Sequence, residues 1–563
     1  MRNELATWTA QLAAAREALS IRGLSHAASF ACELYASLPL SVRENASSVQ
    51  VDHSAAPSDG LLLLAKSYMD LQEYARASHV LGQKQGALTD VEFFVLHYAR
   101  YLAGERRKEQ LSMEMKTHSG ASQKQTTSNP HLKDLLRDLA DADASPNQLD
   151  AFGLYLYAVV LKQAGFEHTT VHALYVQLLQ RSLALFPWNW SAWMELAATS
   201  NDGSSTNHQG EMNHNEKACP WMSHLFQAHV LLLHCHIPQA IDILEQIQPT
   251  FPTSSYIVSQ LARAHYELRD FDGAHRLFEQ LSTSDPYRMD LMDLYSDVLY
   301  VKEEKTALSE LAHHVHTVDK YRPESNCVIG NYYALKGQHE RAIAYFNRAI
   351  TLDGTCVAAW TLIGHEYIQL KNTNAAIEVY RRALELAPTD YRAWYGLGQA
   401  YELLELFHYS VHYYQKATGI RPYDARMWVA LGGSLEKLGQ HSQAKSSYLR
   451  AVTNNDAEGI AVFRLAKLYE LVEKDMDKAA EYYRLHWQRD RATGHNSSAE
   501  AVAGMLFLGN YCMLQGNLPE AMEWCYRLLE RDGPEKEEAK AMLHAIRRME
   551  LFAPPSSDTT LSP

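Results

Sequence analysis

The polar residues that could do chemistry in this 563-residue chain fall into a stripe. Four quartets stand in register: Glu324, Cys327, Asn331, Ala334; then Ala358, Thr361, His365, Ile368; then Arg392, Tyr395, Gln399, Glu402; then Arg426, Val429, Gly433, Glu436. Within each quartet the steps are three, four and three residues, the spacing that puts side chains on one face of a helix. Glu366 flanks the second quartet. An amide such as Asn331 or Gln399 can donate to and accept from an extended backbone. A carboxylate such as Glu366 or Glu402 can take an arginine fork through two hydrogen bonds. The chemistry on offer is therefore capture of an extended peptide by its backbone and its basic side chains. Covalent catalysis has no counterpart: the chain has no phosphate-cradling GxxxxGK, no HExxH and no GxSxG. The histidine groups His229, His234, His236 and His313, His314, His316 lack an acidic or cysteine framework of ligand spacing, so neither a metal nor a cofactor is expected.

The quartets are spaced by a repeat that can be counted. Adding 34 to the numbers of Trp360, Gly364, Tyr367, Ala376, Tyr380, Ala383 and Pro388 gives Trp394, Gly398, Tyr401, Ser410, Tyr414, Ala417 and Pro422. A further step gives Trp428, Gly432, Leu435, Ala444, Tyr448, Ala451 and Asp456; a step back gives Asn326, Gly330, Tyr333, Ala342, Phe346, Ala349 and Gly354. Small residues at positions 8, 20 and 27 with aromatics at 4, 11 and 24 are the tetratricopeptide-repeat (TPR) pattern. Each repeat is two antiparallel helices. Gly at position 8 and Ala at 20 let the two approach, the ring at 24 fills the space toward the next repeat, and Pro388 or Pro422 ends the second helix. One repeat cannot bury its own apolar face, so the expected fold is an all-α, right-handed superhelical solenoid of about 13–14 helix pairs.

Weaker matches extend the array: Ala274, Phe278 and Pro286; Ala240, Leu244 and Pro252; a degenerate one at Met292, Leu299 and Leu308; and, downstream, Ala466, Tyr469, Ala479 and Tyr483 with one inserted residue. The boundaries expected are an N-terminal array over 1–320, a C-terminal array with the groove over 321–535, and a helix end with a disordered tail over 536–563. Residues 107–130 and 200–217, rich in Ser, Thr, Asn and Gln, are expected to be mobile loops.

Composition excludes several classes. The chain carries 52 Lys+Arg against 66 Asp+Glu, a net charge of −14, which argues against nucleic acid and gives an anionic membrane no purchase. No apolar run approaches the roughly 20 residues of a membrane span. Seven scattered cysteines without a CxxC pair point to reduced thiols.

The strings NCVIGNYYALKGQHERAIAYFNRAI, GHEYIQLKNT and DYRAWYGLGQAYE go beyond generic repeat consensus. They resemble the TPR subunits of the anaphase-promoting complex, or cyclosome, and most closely its subunit 8 (cell division cycle 23) family. That resemblance implies a non-catalytic scaffold in a cell-cycle ubiquitin ligase of nucleus and cytoplasm. It implies a homodimer formed through the N-terminal repeats, contacts to the other subunits, and a C-terminal groove that takes the basic C-box peptide of a coactivator. The family's peptide-contacting Asn and Glu match Asn331 and Glu366, with His365, Arg392, Tyr395, Gln399 and Glu402 lining the same groove. Two alternatives stay open. A chaperone-binding TPR clamp would accept Asn331 but meets Cys327, Leu362 and Gly396 where it needs polar groups; a TPR subunit of another assembly differs only in the family-specific strings.

Overall fold

The computed structural model describes residues 2–38, 60–84, 88–118, 128–144, 149–165, 169–199, 220–454, 456, 459–493, 499–529 and 535–552. Among these there are 28 α-helices, one π-helical turn and no strand. The expected loop over 200–217 and the tail beyond 552 lie outside the described residues. The chain divides into two compact bodies, Met1–Val298 and Leu299–Pro563.

In the second body the helices begin where the repeat register says they should. First helices run Pro323–Leu335, Val357–Gln369, Tyr391–Leu403 and Ala425–Lys437; second helices run His339–Leu352, Thr373–Leu386, Phe407–Ile420 and His441–Thr453. The tight pairing has a visible cause. A Cβ on Gly330, Gly364, Gly398 or Gly432 would run into the ring of Phe346, Tyr380, Tyr414 or Tyr448 of the same repeat. Tyr380 also fills the space over Gly396 of the next repeat, so one ring seals two helix crossings. Ala342, Ala376 and Ala444 are wholly buried at the same crossings.

The turn between paired helices is equally regular. Position 15 is left-handed in Cys235, Arg269, Glu303, Gly337, Lys371, Glu405 and Gly439, each one repeat after the last, with φ between 55° and 74°. Its amide donates to the carbonyl of position 12 and the next amide to that of position 11, as in Lys371 N–H to Ile368 O (3.0 Å) and Asn372 N–H to Tyr367 O (2.9 Å). This double closure satisfies the last carbonyls of the first helix. At the other end the indole N–H of Trp394 and Trp428 donates to the carbonyl of Pro388 (2.8 Å) and Pro422 (2.7 Å), tying each repeat to the one before. The residue inserted after Tyr469 is absorbed in a π-helical turn, Tyr469–Glu473, which restores the register for Ala479 and Tyr483.

The first body is held by contacts distant in sequence. Helices Arg2–Ile21 and Ser25–Ser37 pack on residues far along the chain. Phe30 stacks on Trp190 (ring centroids 4.7 Å) and meets Tyr256 edge-on (5.0 Å), while Glu33 accepts from the backbone N–H of Tyr256. Arg22 pairs with Asp150 at 3.2 Å and covers the Phe152 ring. The expected mobile loop over 107–130 is corrected in part: residues 107–118 continue the helix Asp90–His118. Its ERRKEQL stretch is composed of strong helix formers, which outweigh the polar composition. Asn129, at the far side, is buried and donates to Tyr101 O (3.2 Å) and Glu105 Oε1 (2.8 Å). Only 119–127 of that stretch falls outside the described residues.

Candidate functional site

The stripe residues lie on the first helices of the repeats from 323, 357, 391 and 425, but they are not equally open. Asn331, Thr361 and Cys327 are buried, whereas Arg392, Tyr395, Gln399 and Glu402 are partly exposed. Glu366, which flanks the second quartet, is buried as well, at 5% exposure, so it is not part of an open polar surface. Its Oε2 lies 2.7 Å from His339 Nδ1, on the first turn of the second helix of the preceding repeat. Burial pushes its carboxyl above the ordinary range, partly offset by the His339 hydrogen bond and charge. Glu366 is close enough to Tyr300 and Tyr380 to hold both phenols protonated more firmly, after the larger effect of their own burial. The buried carboxylate thus has a histidine at its side and two tyrosines within electrostatic reach.

His365, next in sequence, points elsewhere. Its Nδ1 is 2.8 Å from the Tyr380 hydroxyl. Burial, with Arg392 nearby, pushes the imidazole down to about 4, so it stays neutral at pH 7. Tyr395 tilts against Tyr414 at 5.4 Å, and Arg392 begins its helix with its backbone N–H on the Asp390 carboxylate (3.1 Å).

Glu402 belongs to a recurring contact. Its Oε2 accepts from the Tyr414 hydroxyl at 2.8 Å; Glu436 does the same for Tyr448 (2.9 Å) and Glu470 for Tyr483 (2.8 Å). In each of these three repeats an acid at position 12 tethers the hydroxyl of the interhelix ring. The repeat from 357 has Ile368 at position 12, and His365 takes over the tyrosine. The signal was present in the sequence, as a Glu that recurs in register with a Tyr. His339 carried no such signal, because its importance comes from one residue of the next repeat.

Cys327, Leu362 and Gly396, the positions that spoke against a chaperone clamp, are packing positions: Cys327 and Leu362 share a small apolar cluster, and Gly396 lies under Tyr380. Among the described residues no three metal-capable side chains converge, and no helix is long and apolar enough to cross a membrane.

Glycine-on-ring crossings and Schellman-type turns, recurring every 34 residues, define a TPR solenoid. TPR family descriptions match over 323–356, 364–404, 391–424, 429–492 and 488–536. The family described as anaphase promoting complex subunit 8 / Cdc23 matches residues 7–262. Anaphase-promoting complex subunit 8 of Arabidopsis thaliana is 47% identical over 497 residues, covering 88% of this chain and 82% of the relative. The protein of the same name from Dictyostelium discoideum is 38% identical over 529 residues, 86% of each chain. The crystal structure of the APC/C hetero-tetramer Cut9–Hcn1 shares the fold, with a TM-score of 0.55, 16% identity, and coverage of 95% of this chain and 96% of that one. The chain belongs to the anaphase-promoting complex subunit 8/Cdc23 family.

Proposed function

We propose that the chain is a non-catalytic scaffold subunit of an anaphase-promoting complex, and that its C-terminal repeats receive the basic C-box peptide of a coactivator. The observation that carries the reading is the 47% identity to a subunit 8 across 88% of the chain. The site adds physical support. Glu366 is a buried carboxylate whose hydrogen-bond partner is His339 and which has no Lys or Arg paired with it among the described residues; a guanidinium can make two charge-assisted hydrogen bonds to such an acid. Asn331 sits one repeat earlier and offers an amide to a peptide backbone. Arg392, Tyr395, Gln399 and Glu402 continue the lining, and His365, neutral and tied to Tyr380, adds no charge to repel a basic ligand.

In this reading residues 1–320 carry homodimerisation, 321–535 the peptide groove, and the other subunits of the complex bind along both. The protein works in nucleus and cytoplasm to bring coactivator and substrate to a ubiquitin ligase. The test is affinity purification of the tagged chain from its own cells, with mass spectrometry of what accompanies it. Other subunits of the complex at near-equal amounts support the reading. Recovery of the chain without them contradicts it. Light scattering on the full chain should give twice the chain mass; a monomer at micromolar concentration removes the homodimer.

A further inference from the structure

A slot lies between the second helices of successive repeats, floored by a first helix. Positions 11 and 23 meet there. In the repeat from 323 they are Tyr333 and Tyr345, stacked with ring centroids 5.2 Å apart. In the repeat from 391 they are Tyr401 and Tyr413, also 5.2 Å apart, with Tyr409 stacked on Tyr401 at 5.4 Å and Arg381 donating to the Tyr401 hydroxyl at 2.8 Å. In the repeat from 459 they are Tyr469 and Tyr482, at 5.4 Å. The repeat from 357 keeps one ring, Tyr367, packed in a cluster with Val379.

The repeat from 425 breaks this series. Positions 11 and 23 are Leu435 and Ser447, and position 19, which holds Tyr409 one repeat earlier, is Gln443. Three rings are missing at once. The result is a cavity of about 460 Å³ lined by Gln415, Thr418, Trp428, Leu435, Ser447 and Arg450, among others. That volume is within the range of about 300–1,000 Å³ usual for ligand pockets. Leu431 and Leu435 make an apolar floor, both nearly fully buried. Among the described lining residues Arg450 is the sole charged group, and its guanidinium lies over the Trp428 ring, 4.8 Å from the centroid. Trp428 is itself fixed by its indole N–H to Pro422 O.

We propose that this slot is a docking site for a partner polypeptide that inserts an aromatic side chain and presents a carboxylate beside it to Arg450. The partner's ring takes the place that the chain's own tyrosines fill in the repeats on either side. Trp428 and the two leucines offer the stacking and apolar contacts that make buried aromatics the strong anchors of interfaces. Arg450, held over the indole, can grip a carboxylate with its fork. Gln415 and Gln443, on opposite walls, can pair with the backbone of the inserted segment. The site is independent of the groove lined by Asn331 and Glu366, because positions 11 and 23 face the second helices.

The experiment uses phenylacetate, which supplies a ring and a carboxylate, with benzyl alcohol and acetate as the separate halves. Binding to the full chain is followed by saturation-transfer NMR on the small molecule. The expected Kd for phenylacetate is on the order of 1 mM, the strength usual for so few heavy atoms. Arg450→Gln should weaken phenylacetate about tenfold, one charge-assisted pair, and leave benzyl alcohol unchanged. The double change Leu435→Tyr, Ser447→Tyr rebuilds the stacked pair and should abolish binding of both aromatics without lowering the melting temperature. Should the double variant melt lower, Ser447→Leu carries the same test with a smaller filling group. The proposal is overturned if the parent fails to bind phenylacetate, if the filled variants bind it as well as the parent, or if acetate alone binds equally tightly, which would reduce the slot to a surface arginine.

Discussion

The repeats over 323–454 and the N-terminal helices over 2–37 are both amphipathic pairs, yet they are secured by different means. In the repeats each contact joins residues of one or two neighbouring units: Gly364 under Tyr380, Trp394 on Pro388, Glu402 on Tyr414. In the N-terminal pair the contacts join residues more than a hundred positions apart: Phe30 on Trp190 and Tyr256, Arg22 on Asp150. The first kind can form wherever two neighbours fold and then propagate. The second must wait for loop closure, which costs entropy before any contact rewards it. Stability in the repeats is therefore shared along the array, whereas the N-terminal pair depends on a few aromatic anchors.

The two regions should separate most strongly at Phe30. Phe30→Ala removes a buried ring and should cost about 3–5 kcal/mol. Hydrogen exchange should show residues 8–38 and their partners near 190 and 256 losing protection while 323–454 keeps it. Equal loss in both regions would mean that the two are one cooperative unit. Gly364→Leu attacks the other kind of contact and should cost about 3 kcal/mol, the upper part of the usual overpacking range, because the Tyr380 ring has no free space to retreat into. Here exchange should rise around 357–403 and leave the N-terminal pair protected; an unchanged melting temperature would remove the packing assignment.

A subtler separation uses pH. His365 is pushed down to about 4 by burial, so the unfolded chain takes up its proton first and native stability falls as pH drops below about 6.5. Glu366 has the opposite sign. Its folded carboxyl titrates above the ordinary 4.5, so the native state holds a proton that the unfolded chain has released. Native stability from Glu366 therefore rises as pH falls through that window. Glu366→Gln should remove the compensating contribution and make the melting temperature fall more steeply than in the parent as pH drops toward 4.5. Parallel profiles would show that Glu366 is not desolvated.

The smallest effect concerns the turns. Glu405 is left-handed at φ 59°, where Gly337 and Gly439 serve other repeats. Glu405→Gly relieves that strain but adds freedom to the unfolded chain, for a net gain of about 0.5 kcal/mol. A drop in melting temperature instead would mean that the carboxylate has a contact worth more than the backbone relief.

What could be read from the sequence follows the same division. Positions 8, 20, 24 and 32 of the repeats are legible because identical local demands recur in unit after unit, and the one-residue insertion after Tyr469 was visible as a broken count that a π turn then absorbs. The docking of residues 25–37 on Trp190 and Tyr256 was illegible, since nothing periodic links Phe30 to either. The helix through 107–118 was obscured by polar composition that a solvated helix tolerates as well as a loop. At the groove, spacing identified the stripe but not its depth. Whether position 10 is open or buried depends on position 17 of the repeat before, and His339 closes over Glu366 there.

The depth of Glu366 limits which substitutions can probe it. Glu366→Lys would bury an unpaired cation beside His339, and a loss of binding could then be a loss of structure. Glu366→Gln keeps the shape and removes the charge. The decisive measurement is calorimetric titration of a C-box peptide, with its arginine intact or replaced by citrulline, into the full chain and into Glu366→Gln. The parent should prefer the arginine peptide by roughly tenfold or more, the worth of a charge-assisted pair, and the preference should disappear in Glu366→Gln while the melting temperature at pH 7 is kept. Equal affinity of parent and Glu366→Gln for the arginine peptide would contradict the groove and leave the scaffold role to stand on the family alone.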